Sequence, residues 1–399
     1  MISVEVALER VIAGCRPTAP EMIALPAALG RVLAENVTAR VAHPPLDVSA
    51  MDGYAVRAAD LLTPARLAVI GESAAGHPFV GTVEAGQAVR IFTGAAIPAG
   101  ADAVVMQEDT SRHDDFVDIH TTVTAGHHVR PRGLDFLPGQ PGLSAGTVMG
   151  PRQIALAAAM NVPWLSVRRR PRVAVLSTGD EVAMPGEPMG PAQLASSNGP
   201  GLAALVAVLG GEPVQLGIAK DSRASLSAMV AAAAGCDLLV TSGGASVGDY
   251  DLVQDVLSEH GLQLDFWKIA MRPGKPLMFG ALKTVPVLGL PGNPVSAMVC
   301  AYVFLAPMVR ALQGLTGGLP TEPAVLGADV RANDARQDYM RARLQRDGSG
   351  RLVATPHTKQ DSAVVSGLAA ASGLIVRPPY AAAAQAGEAV AVIPLPEGM

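Results

Sequence analysis

Hydroxyl groups and glycines alternate in segment 241–248 of this 399-residue chain, which reads TSGGASVG. Glycine lets backbone N–H groups approach a ligand closely, and a helix that follows adds the positive end of its dipole. The segment therefore predicts a cradle for a phosphate or pyrophosphate, although an ordinary glycine-rich turn between a strand and a helix has the same pattern. The substrate-binding residues predicted here are Ser242, Gly243, Gly244, Ser246 and Gly248.

The same segment contains the G-x-S-x-G pattern that surrounds the nucleophilic serine of α/β hydrolases. In that interpretation His260 or His357 would complete a triad with Ser246. Five-residue patterns recur by chance, and the acids Asp249 and Asp251 are unexpected beside such a serine. We therefore favour phosphate binding over nucleophilic catalysis for this segment.

Carboxylates follow several predicted strands, at Glu181, Asp221, Asp249 and Asp251. If the sheet brings these loops together, their oxygens suit Mg²⁺ shared with the phosphates of a substrate. The alternative for the aspartates is capping, because each precedes a predicted helix whose first N–H groups need acceptors. The spacing alone leaves both interpretations open.

Two cations lie in a stiff turn, the segment 269–276, which reads IAMRPGKP, and Lys268 comes just before it. Cations on a rigid backbone suit an anionic ligand, so Lys268, Arg272 and Lys275 are candidates for substrate binding. An exposed loop is the alternative. The turn 291–294, PGNP, forms either a wall of a binding site or simply the entry to the helix that follows.

These residues need elements that bring them together. Residues 172–315 alternate between strand and helix patterns, which predicts a largely parallel, helix-covered sheet. Ligands bind beyond the carboxyl ends of the strands in such sheets. The segments 178–181, 241–244 and 291–294 all follow predicted strands, so Thr178, Pro291 and Pro294 join the candidate substrate-binding residues.

The rest of the chain predicts three further regions. Helical spacing at 4–12, at 25–37 and at 152–160 predicts an elongated helical lobe, and short alternating runs predict a β-rich module inserted into it. Strand-like runs from about 324 onward predict a small β domain. The predicted domains are 1–45 with 136–171 (helical lobe, dimerisation), 46–135 (inserted module), 172–320 (doubly wound α/β domain) and 321–399 (C-terminal β domain).

Composition excludes several classes of protein. The formal net charge is −5 and no long basic run occurs, which argues against nucleic-acid binding. The three cysteines, Cys15, Cys236 and Cys300, lie far apart, and no C-x-x-C pair occurs. A disulfide framework is therefore not expected, and a cytoplasmic location fits. The apolar run 295–309 falls short of the roughly 20 residues that span a membrane and predicts a buried helix.

Seven blocks, taken in order, resemble the molybdopterin molybdenumtransferase family, which includes bacterial MoeA and the E domain of gephyrin. The blocks are SAMDGYA (49–55), FTGA (92–95), RPRGLD (130–135), STGDE (177–181), SGGASVGDYD (242–251), FWKIAMRPGKP (266–276) and LPGNPVS (290–296). The resemblance implies an elongated homodimer of four-domain subunits. It also implies a reaction that inserts molybdate into adenylylated molybdopterin and releases AMP, with Mg²⁺ as cofactor, in a site shared between subunits.

The resemblance also implies roles for individual residues. The catalytic residues are Asp52, Glu181, Asp221 and Asp251, of which the last three would bind the metal. The added substrate-binding residues are Thr93, Arg130, Asp135 and Ser362, and the cations Lys268, Arg272 and Lys275 match the family as well. Three positions depart from the family pattern: Arg272 replaces a frequent Lys, Ser222 follows Asp221 where paired acids are frequent, and Ser362 lacks a neighbouring glycine.

Two other functions compete with this interpretation. A non-catalytic molybdopterin-binding scaffold would not need Asp52, Glu181, Asp251 and Lys268, all of which are present. A molybdopterin adenylyltransferase uses a related α/β domain that usually stands alone, whereas this chain has four predicted domains. The expected partners are a second copy of the chain, the adenylyltransferase and the recipient molybdoenzymes, with neither nucleic acid nor membrane.

Overall fold

The computed structural model describes residues 1–61, 65–243 and 252–395. These residues form two compact units. The first unit comprises Met1–Glu21, Gly30–Ala34 and the chain from Val167 onward. The second unit comprises Met22–Leu29 and Glu35–Ser166. The four predicted domain boundaries stay a prediction.

A six-stranded sheet organises the α/β part of the first unit. Its strand order is Glu212–Ala219, Arg172–Thr178, Leu238–Ser242, Val285–Leu290, Met278–Leu282 and Leu262–Trp267. The first four strands are parallel, and only Met278–Leu282 runs in the opposite direction, because it pairs antiparallel with both of its neighbours. This confirms the expectation of a largely parallel sheet. Ser242 pairs with Ser177 on one side and Leu290 on the other, so the carboxyl ends of three strands meet at one edge.

Helices cover this sheet, as the alternation of strand and helix patterns predicted. They are Asn198–Val208, Arg223–Ala232, Leu252–Glu259 and the segment Pro294–Leu312, which contains a π-helical turn at Ala301–Leu305 between Pro294–Cys300 and Ala306–Leu312. Pro294–Leu312 is long and apolar enough to cross a membrane, but 78% of its apolar window is buried inside the protein. The expectation of a buried helix is therefore confirmed.

The N-terminal helix Val4–Ala13 packs against this same core. Val4, Ala7 and Val11 are spaced three and four residues apart, and all three lie in one hydrophobic cluster with residues of the helix Pro294–Cys300. Ser3 caps the helix, because its hydroxyl accepts a hydrogen bond from the Val6 N–H at 3.2 Å. The helix thus belongs to the first unit, and the helix Pro151–Ala159 belongs to the second.

A small closed β barrel completes the first unit. Its strands are Glu322–Leu326, Gln337–Arg346, Leu352–Pro356, Gly373–Arg377 and Ala389–Pro394. The strand Gln337–Arg346 pairs with both Leu352–Pro356 and Gly373–Arg377, which closes the sheet on itself. The short strand Met271–Arg272 adds to the same barrel strand, so a loop of the α/β sheet is hydrogen-bonded to the barrel.

The second unit is built around a six-stranded β sheet, as the short alternating runs predicted. Its strand order is Ala103–Met106, Gly53–Val56, Gln87–Ile91, Ala65–Ser73, Phe116–Ile119 and Thr110–His113. Short strands outside the three sheets are Pro20–Ala24, Val37–Thr38, Val48–Ser49, Val129–Arg130, Pro141–Leu143, Trp164–Arg168, Val182–Ala183 and Leu194–Ala195. A further short helix, Val365–Ala369, follows the barrel strand Leu352–Pro356.

The helix predicted from 25 to 37 is wrong. Only a single 3₁₀ turn, Leu25–Ala27, forms there, and Val37–Thr38 is a strand. Pro26 has no N–H to continue a helix, and Gly30 adopts φ +71°, which ends the helical path. The apolar spacing that suggested a helix instead buries Val32 and Leu33 from irregular backbone.

Candidate functional site

A cleft of about 380 Å³ opens at the carboxyl ends of the parallel strands. Six of the predicted site residues line it: Thr178, Glu181, Ser242, Gly243, Pro291 and Pro294. The parallel register explains this convergence, because residues that follow neighbouring parallel strands emerge at the same edge of the sheet. Ser242 and Gly243, from the predicted phosphate cradle, and the turn 291–294 therefore face one cavity.

Gly243 is the point where the backbone of this cleft is tightest. Its φ is +95°, and a Cβ atom built there would lie 2.7 Å from the carbonyl oxygen of Thr178. Only glycine fits both the conformation and the space. The Gly243 N–H donates to the carbonyl of Leu290 at 3.3 Å, which ties together the ends of two strands.

Asn198 is a cleft residue that the sequence analysis missed. Its side-chain Nδ2 donates to Ser242 Oγ at 2.7 Å and to the Gly292 carbonyl at 2.8 Å. It thereby links the phosphate-cradle segment to the turn 291–294 from the start of the helix Asn198–Val208. Asparagine is an ordinary capping residue at the start of a helix, so its type and position did not indicate this bridge.

Asp180 and Asp221 are exposed and hydrogen-bonded to each other at the ends of two neighbouring strands, and Glu181 follows Asp180 in the chain. The Asp180 N–H donates to Asp221 Oδ2 at 3.4 Å, and the Asp221 N–H donates to Asp180 Oδ1 at 3.2 Å. The Glu181 carboxylate folds back over Gly179, within 2.5–2.7 Å of the position that a Cβ would occupy there. Asp180 was not among the predicted site residues, although it directly precedes Glu181 in the sequence.

These oxygens fit a hard divalent cation such as Mg²⁺, which typically takes one or two protein carboxylates and completes its shell with water and substrate phosphates. Within residues 1–61, 65–243 and 252–395, no three His, Cys, Asp or Glu side chains enclose a metal position by themselves. The described residues therefore do not form a metal site by themselves. Four predicted residues lie outside the described residues: Gly244, Ser246, Gly248 and Asp251.

Lys268 and Lys275 are not among the described residues that line the cleft. Lys268 adopts φ +76°, and its ammonium group lies 4.6 Å from the centroid of the Trp267 ring. The carbonyl of Lys275 accepts a hydrogen bond from the Ile269 N–H at 3.0 Å, which closes the turn. Pro276, the next residue, does line the cleft, so the exposed Lys275 stands at its rim.

Arg272 points to a different place. Its Nη2 lies 2.5 Å from Asp338 Oδ2 and 3.0 Å from Asn333 Oδ1, and its Nη1 lies 3.3 Å from Asp334 Oδ2. The hydrogen bond to Asp338 raises the pKa of Arg272 above its ordinary value. Arg272 lines a separate cavity of about 690 Å³ against the barrel. In this conformation its charge links the α/β loop to the barrel.

Ser362 lies beside the turn 291–294. Its hydroxyl accepts a hydrogen bond from Asn293 Nδ2 at 3.2 Å, and its carbonyl accepts one from the Val295 N–H at 3.1 Å. A serine from the barrel domain thus meets the start of the long apolar helix of the α/β domain. Ser362 therefore lies beside this turn although it lacks the neighbouring glycine of the family pattern.

Arg341 holds the loop that carries Ser362, and the sequence analysis did not identify it. It is 1% exposed although it lies on a barrel strand. Its guanidinium donates to three carbonyls, those of Lys359 (3.1 Å), Asp361 (2.9 Å) and Val364 (2.9 Å). Burial lowers the pKa of Arg341, and the three carbonyls compensate for the lost hydration.

In the second unit, Asp52 is held by Thr93. Asp52 Oδ1 accepts hydrogen bonds from the Thr93 backbone N–H and from Thr93 Oγ, each at 2.7 Å. These two bonds lower the pKa of the exposed Asp52 below its ordinary value. Asp52 is therefore a carboxylate at neutral pH, which suits an acceptor, a base or an orienting group rather than a proton donor.

Arg90 fixes the loop around Asp52 and was also missed. Its Nη1 donates to the Gly53 carbonyl at 3.0 Å, and its Nη2 donates to Gln107 Oε1 at 2.7 Å. Its guanidinium carbon lies 5.3 Å from the ring centroid of Tyr54 and 4.8 Å from that of Phe92. Two aromatic rings and two hydrogen bonds leave this cation little freedom.

Arg130 and Asp135, the other predicted residues of the second unit, line a cavity of about 670 Å³. Gly94, which follows Thr93, lines the same cavity. The Asp135 N–H donates to the His43 carbonyl at 3.0 Å. Asp52, Thr93, Arg130 and Asp135 thus belong to one compact unit.

Three family models match the chain. A model of the MoeA N-terminal region (domains I and II) covers residues 2–161, one of a probable molybdopterin binding domain covers 174–311, and one of the MoeA C-terminal region (domain IV) covers 323–395. The chain belongs to the MoeA family of molybdopterin molybdenumtransferases. The resemblance seen in the seven sequence blocks is thereby confirmed.

Curated members of the MoeA family resemble the chain over most of its length. A molybdopterin molybdenumtransferase from a Nostoc species is 42% identical over 79% of this chain and 73% of its own. The enzyme of that name from Haemophilus influenzae is 35% identical over 95% of this chain and 94% of its own. The sequence therefore matches enzymes of the family across all its regions.

Solved MoeA structures have the same fold. A molybdopterin biosynthesis MoeA protein from Pyrococcus horikoshii superposes with a TM-score of 0.87 at 33% identity, covering 99% of both chains. A second structure from that organism gives a TM-score of 0.85 at 26% identity, covering 99% of this chain and 100% of its own. The predicted combination of an α/β domain, a β-rich module and a small C-terminal β domain is confirmed.

Proposed function

We propose that this chain inserts molybdate into molybdopterin, with adenylylated molybdopterin as the substrate and AMP as a product. The observation that carries the proposal is the cleft at the carboxyl ends of the parallel strands, which is lined by glycine backbone, hydroxyl groups and the Glu181 carboxylate. Asp180, the residue before Glu181, and Asp221 are hydrogen-bonded to each other at the ends of two of these strands. Such an edge binds anionic ligands in open α/β sheets. Membership in the MoeA family supports the same reaction.

The residues in and near the cleft have different proposed roles according to their chemistry. Ser242 and Gly243 offer a hydroxyl group and close-approaching backbone for a phosphate. Lys275 at the rim, and Lys268 just before the same turn, would attract oxyanions such as molybdate and phosphate. Water is added across the phosphoanhydride, so that AMP leaves with one phosphate and the pterin side retains the other.

The carboxylates position water and the cofactor. Asp180, Glu181 and Asp221 supply oxygens that would hold Mg²⁺, and Asp251 is proposed as a further ligand. When bound, the ion would offset negative charge as the phosphoanhydride breaks. Asp52, held as a carboxylate by Thr93, would orient an attacking group or accept its proton.

We propose that the active form is a homodimer in which Asp52 of one subunit serves the cleft of the other. The two groups of site residues lie in separate compact units, which is compatible with such sharing. Mixing Asp52→Asn and Glu181→Gln chains tests the arrangement. Activity should reappear in mixed dimers, since one site then has both native carboxylates, and mixtures as inactive as the single variants would reject a shared site.

A cytoplasmic location is part of the proposal. Cys15, Cys236 and Cys300 are all free thiols, and burial raises the pKa of Cys300 well above its ordinary value. Buried, protonated thiols persist in a reducing compartment. The proposed partners are the adenylyltransferase that supplies the substrate and the apoenzymes that receive the product.

The decisive experiment measures AMP release from adenylylated molybdopterin by the purified chain with Mg²⁺, with and without molybdate. We expect molybdate-dependent release and a product that activates an apo-molybdoenzyme. Release of pyrophosphate from ATP and molybdopterin would instead identify an adenylyltransferase. Binding of the substrate without release at any molybdate concentration would identify a scaffold.

A further inference from the structure

A second cavity, of about 440 Å³, adjoins the cleft in the first unit. The two cavities share three lining residues, Ser197, Asn198 and Pro294, so they are continuous. Its volume lies within the range, about 300–1,000 Å³, of small-molecule pockets. We propose that this cavity, which we name the ring pocket, binds the pterin ring of molybdopterin while the phosphate lies in the cleft.

The lining of the ring pocket suits an uncharged, flat ligand. The described residues that line it include no Asp, Glu, Lys or Arg. Its apolar walls come from Met298 and Tyr302 on one side and from Leu368, Ala369 and Leu395 on the other. The anionic parts of the substrate gain nothing from such walls, whereas a heterocyclic ring gains dispersion and stacking contacts.

One face of the long apolar helix is turned toward the ring pocket. Pro294, Met298 and Tyr302 are spaced four residues apart, and each is partly exposed while most of their neighbours in the helix are buried. Tyr302 lies in the π-helical turn Ala301–Leu305. Such turns shift the direction of side chains and are frequent at functional sites. A tyrosine ring and a methionine sulfur are good stacking partners for a flat heterocycle.

The substrate has two flat rings, and the position of the ring pocket favours the pterin. Six lining residues, including Met298 and Tyr302, lie within 174–311, the range matched by the model of a probable molybdopterin binding domain. The pterin stays bound while AMP departs, so a cavity walled on two sides suits the ring that is retained. This inference rests on the proposed function for the identity of the ligand.

The test is equilibrium binding of 6-hydroxymethylpterin, a stable fluorescent pterin, to the full chain. Ala369→Phe places a bulky ring at the exposed rim of the ring pocket and should weaken pterin binding by about tenfold or more. Ser366→Phe is the matched control, because Ser366 is exposed on the same short helix and does not line the pocket. Tyr302→Phe should retain binding, and Tyr302→Ala should lose several-fold, since only the ring is needed for stacking.

AMP is the competing probe. We expect AMP to leave the pterin signal unchanged. Displacement of pterin by AMP, or loss of AMP binding in Ala369→Phe with pterin binding intact, would assign the ring pocket to adenine and overturn the inference. Wild-type pterin affinity in both Ala369→Phe and Tyr302→Ala would overturn it as well.

Turnover separates this inference from the proposed function. If the wild type releases AMP and Ala369→Phe does so with an unchanged KM for adenylylated molybdopterin, the ring pocket is wrong and the function stands. If the wild type releases no AMP but the pterin affinities follow the expected pattern, the proposed function fails and the pocket stands.

Discussion

The two regions that carry predicted catalytic carboxylates are prepared in different ways. In the second unit, Asp52 already has two hydrogen bonds from Thr93, and Arg90 locks the adjoining backbone. In the first unit, the backbone of the cleft is fixed around Gly243, but the Glu181 carboxylate has no hydrogen-bond donor among the described residues. One region therefore presents an acceptor that is already hydrogen-bonded, and the other presents a rigid frame with the Glu181 carboxylate available to a ligand.

The difference shows what each region needs from its ligand. A preorganised acceptor loses little when the substrate arrives, because its orientation has been set by folding. Free carboxylates and lysines at a rim become ordered only by the ions and phosphates that they bind. We therefore expect substitutions around Asp52 to act on catalysis, and substitutions at the rim of the cleft to act on binding.

The largest effect should come from Asp52→Asn. The amide oxygen still accepts the Thr93 bonds, but the negative charge is lost, so the rate of AMP release should fall by about 10²–10⁴-fold. The thermal unfolding midpoint should stay unchanged, because Asp52 is exposed. Full turnover in this variant would show that Asp52 has no catalytic role, and the proposed difference between the two regions would be wrong.

Gly243→Ala should have the next largest effect, through the frame of the cleft. The new Cβ would press on the Thr178 carbonyl at 2.7 Å, so one strand end must move, and turnover should fall by about 10²-fold. The strained φ should also lower the free energy of unfolding by about 1–3 kcal/mol, measured by urea denaturation. Gly292→Ala is the control, since its Cβ would make only an ordinary contact of 3.7 Å with Gly243. Equal losses in both variants would contradict a special role for Gly243.

Thr93→Val should change the pH dependence of turnover. The variant keeps the backbone bond to Asp52 but loses the hydroxyl bond, so the lowered pKa of Asp52 should rise toward its ordinary value of 3.8. Activity that needs the Asp52 carboxylate is present above this pKa and is lost as the pH falls through it. The acid limb of the profile should therefore move to higher pH, with a loss of only a few fold near pH 7. Thr122→Val, on the exposed surface of the same unit, should leave the limb in place, and an unmoved limb in Thr93→Val would refute the coupling.

Arg272→Met should have the smallest effect on turnover. The guanidinium is engaged by Asp338 and Asp334 outside the cleft, so KM should change by less than about threefold. The buried Asp338 loses its cation, and the free energy of unfolding should fall by about 1–2 kcal/mol after allowance for the exposure of Arg272. Arg331→Met, an exposed arginine on the same cavity, is the control. A large rise in KM would instead show that Arg272 binds the substrate, as the sequence resemblance implied.

The sequence predicted the cleft of the first unit well, because strand–helix alternation with special residues after each strand has one main structural solution. Thr178, Ser242, Gly243 and Pro291 converge as expected. The helix expected at 25–37 failed, since apolar residues at helical spacing also fit irregular backbone once Pro26 and Gly30 interrupt the chain. Apolar spacing alone could not reveal that outcome.

The residues that the sequence missed share a physical reason. Asn198, Arg90 and Arg341 act by donating hydrogen bonds to backbone carbonyls that are distant in the chain. The partner of such a bond depends on which loops meet in space. Polar residues on strands and at helix starts commonly have other roles, so their type and position do not predict a particular hydrogen bond.

The sequence by itself determined the family, the strand–helix alternation of the α/β region and the chemistry available at its strand ends. Those follow from local patterns: periodicity, glycine-rich turns and charged motifs in a fixed order. The tertiary structure alone decided that Arg272 pairs with the barrel, that Arg341 holds the loop of Ser362 and that an apolar pocket continues from the polar cleft. Each of these depends on the side chains that packing brings together, and pairing and packing act over distances in the chain that no local pattern encodes.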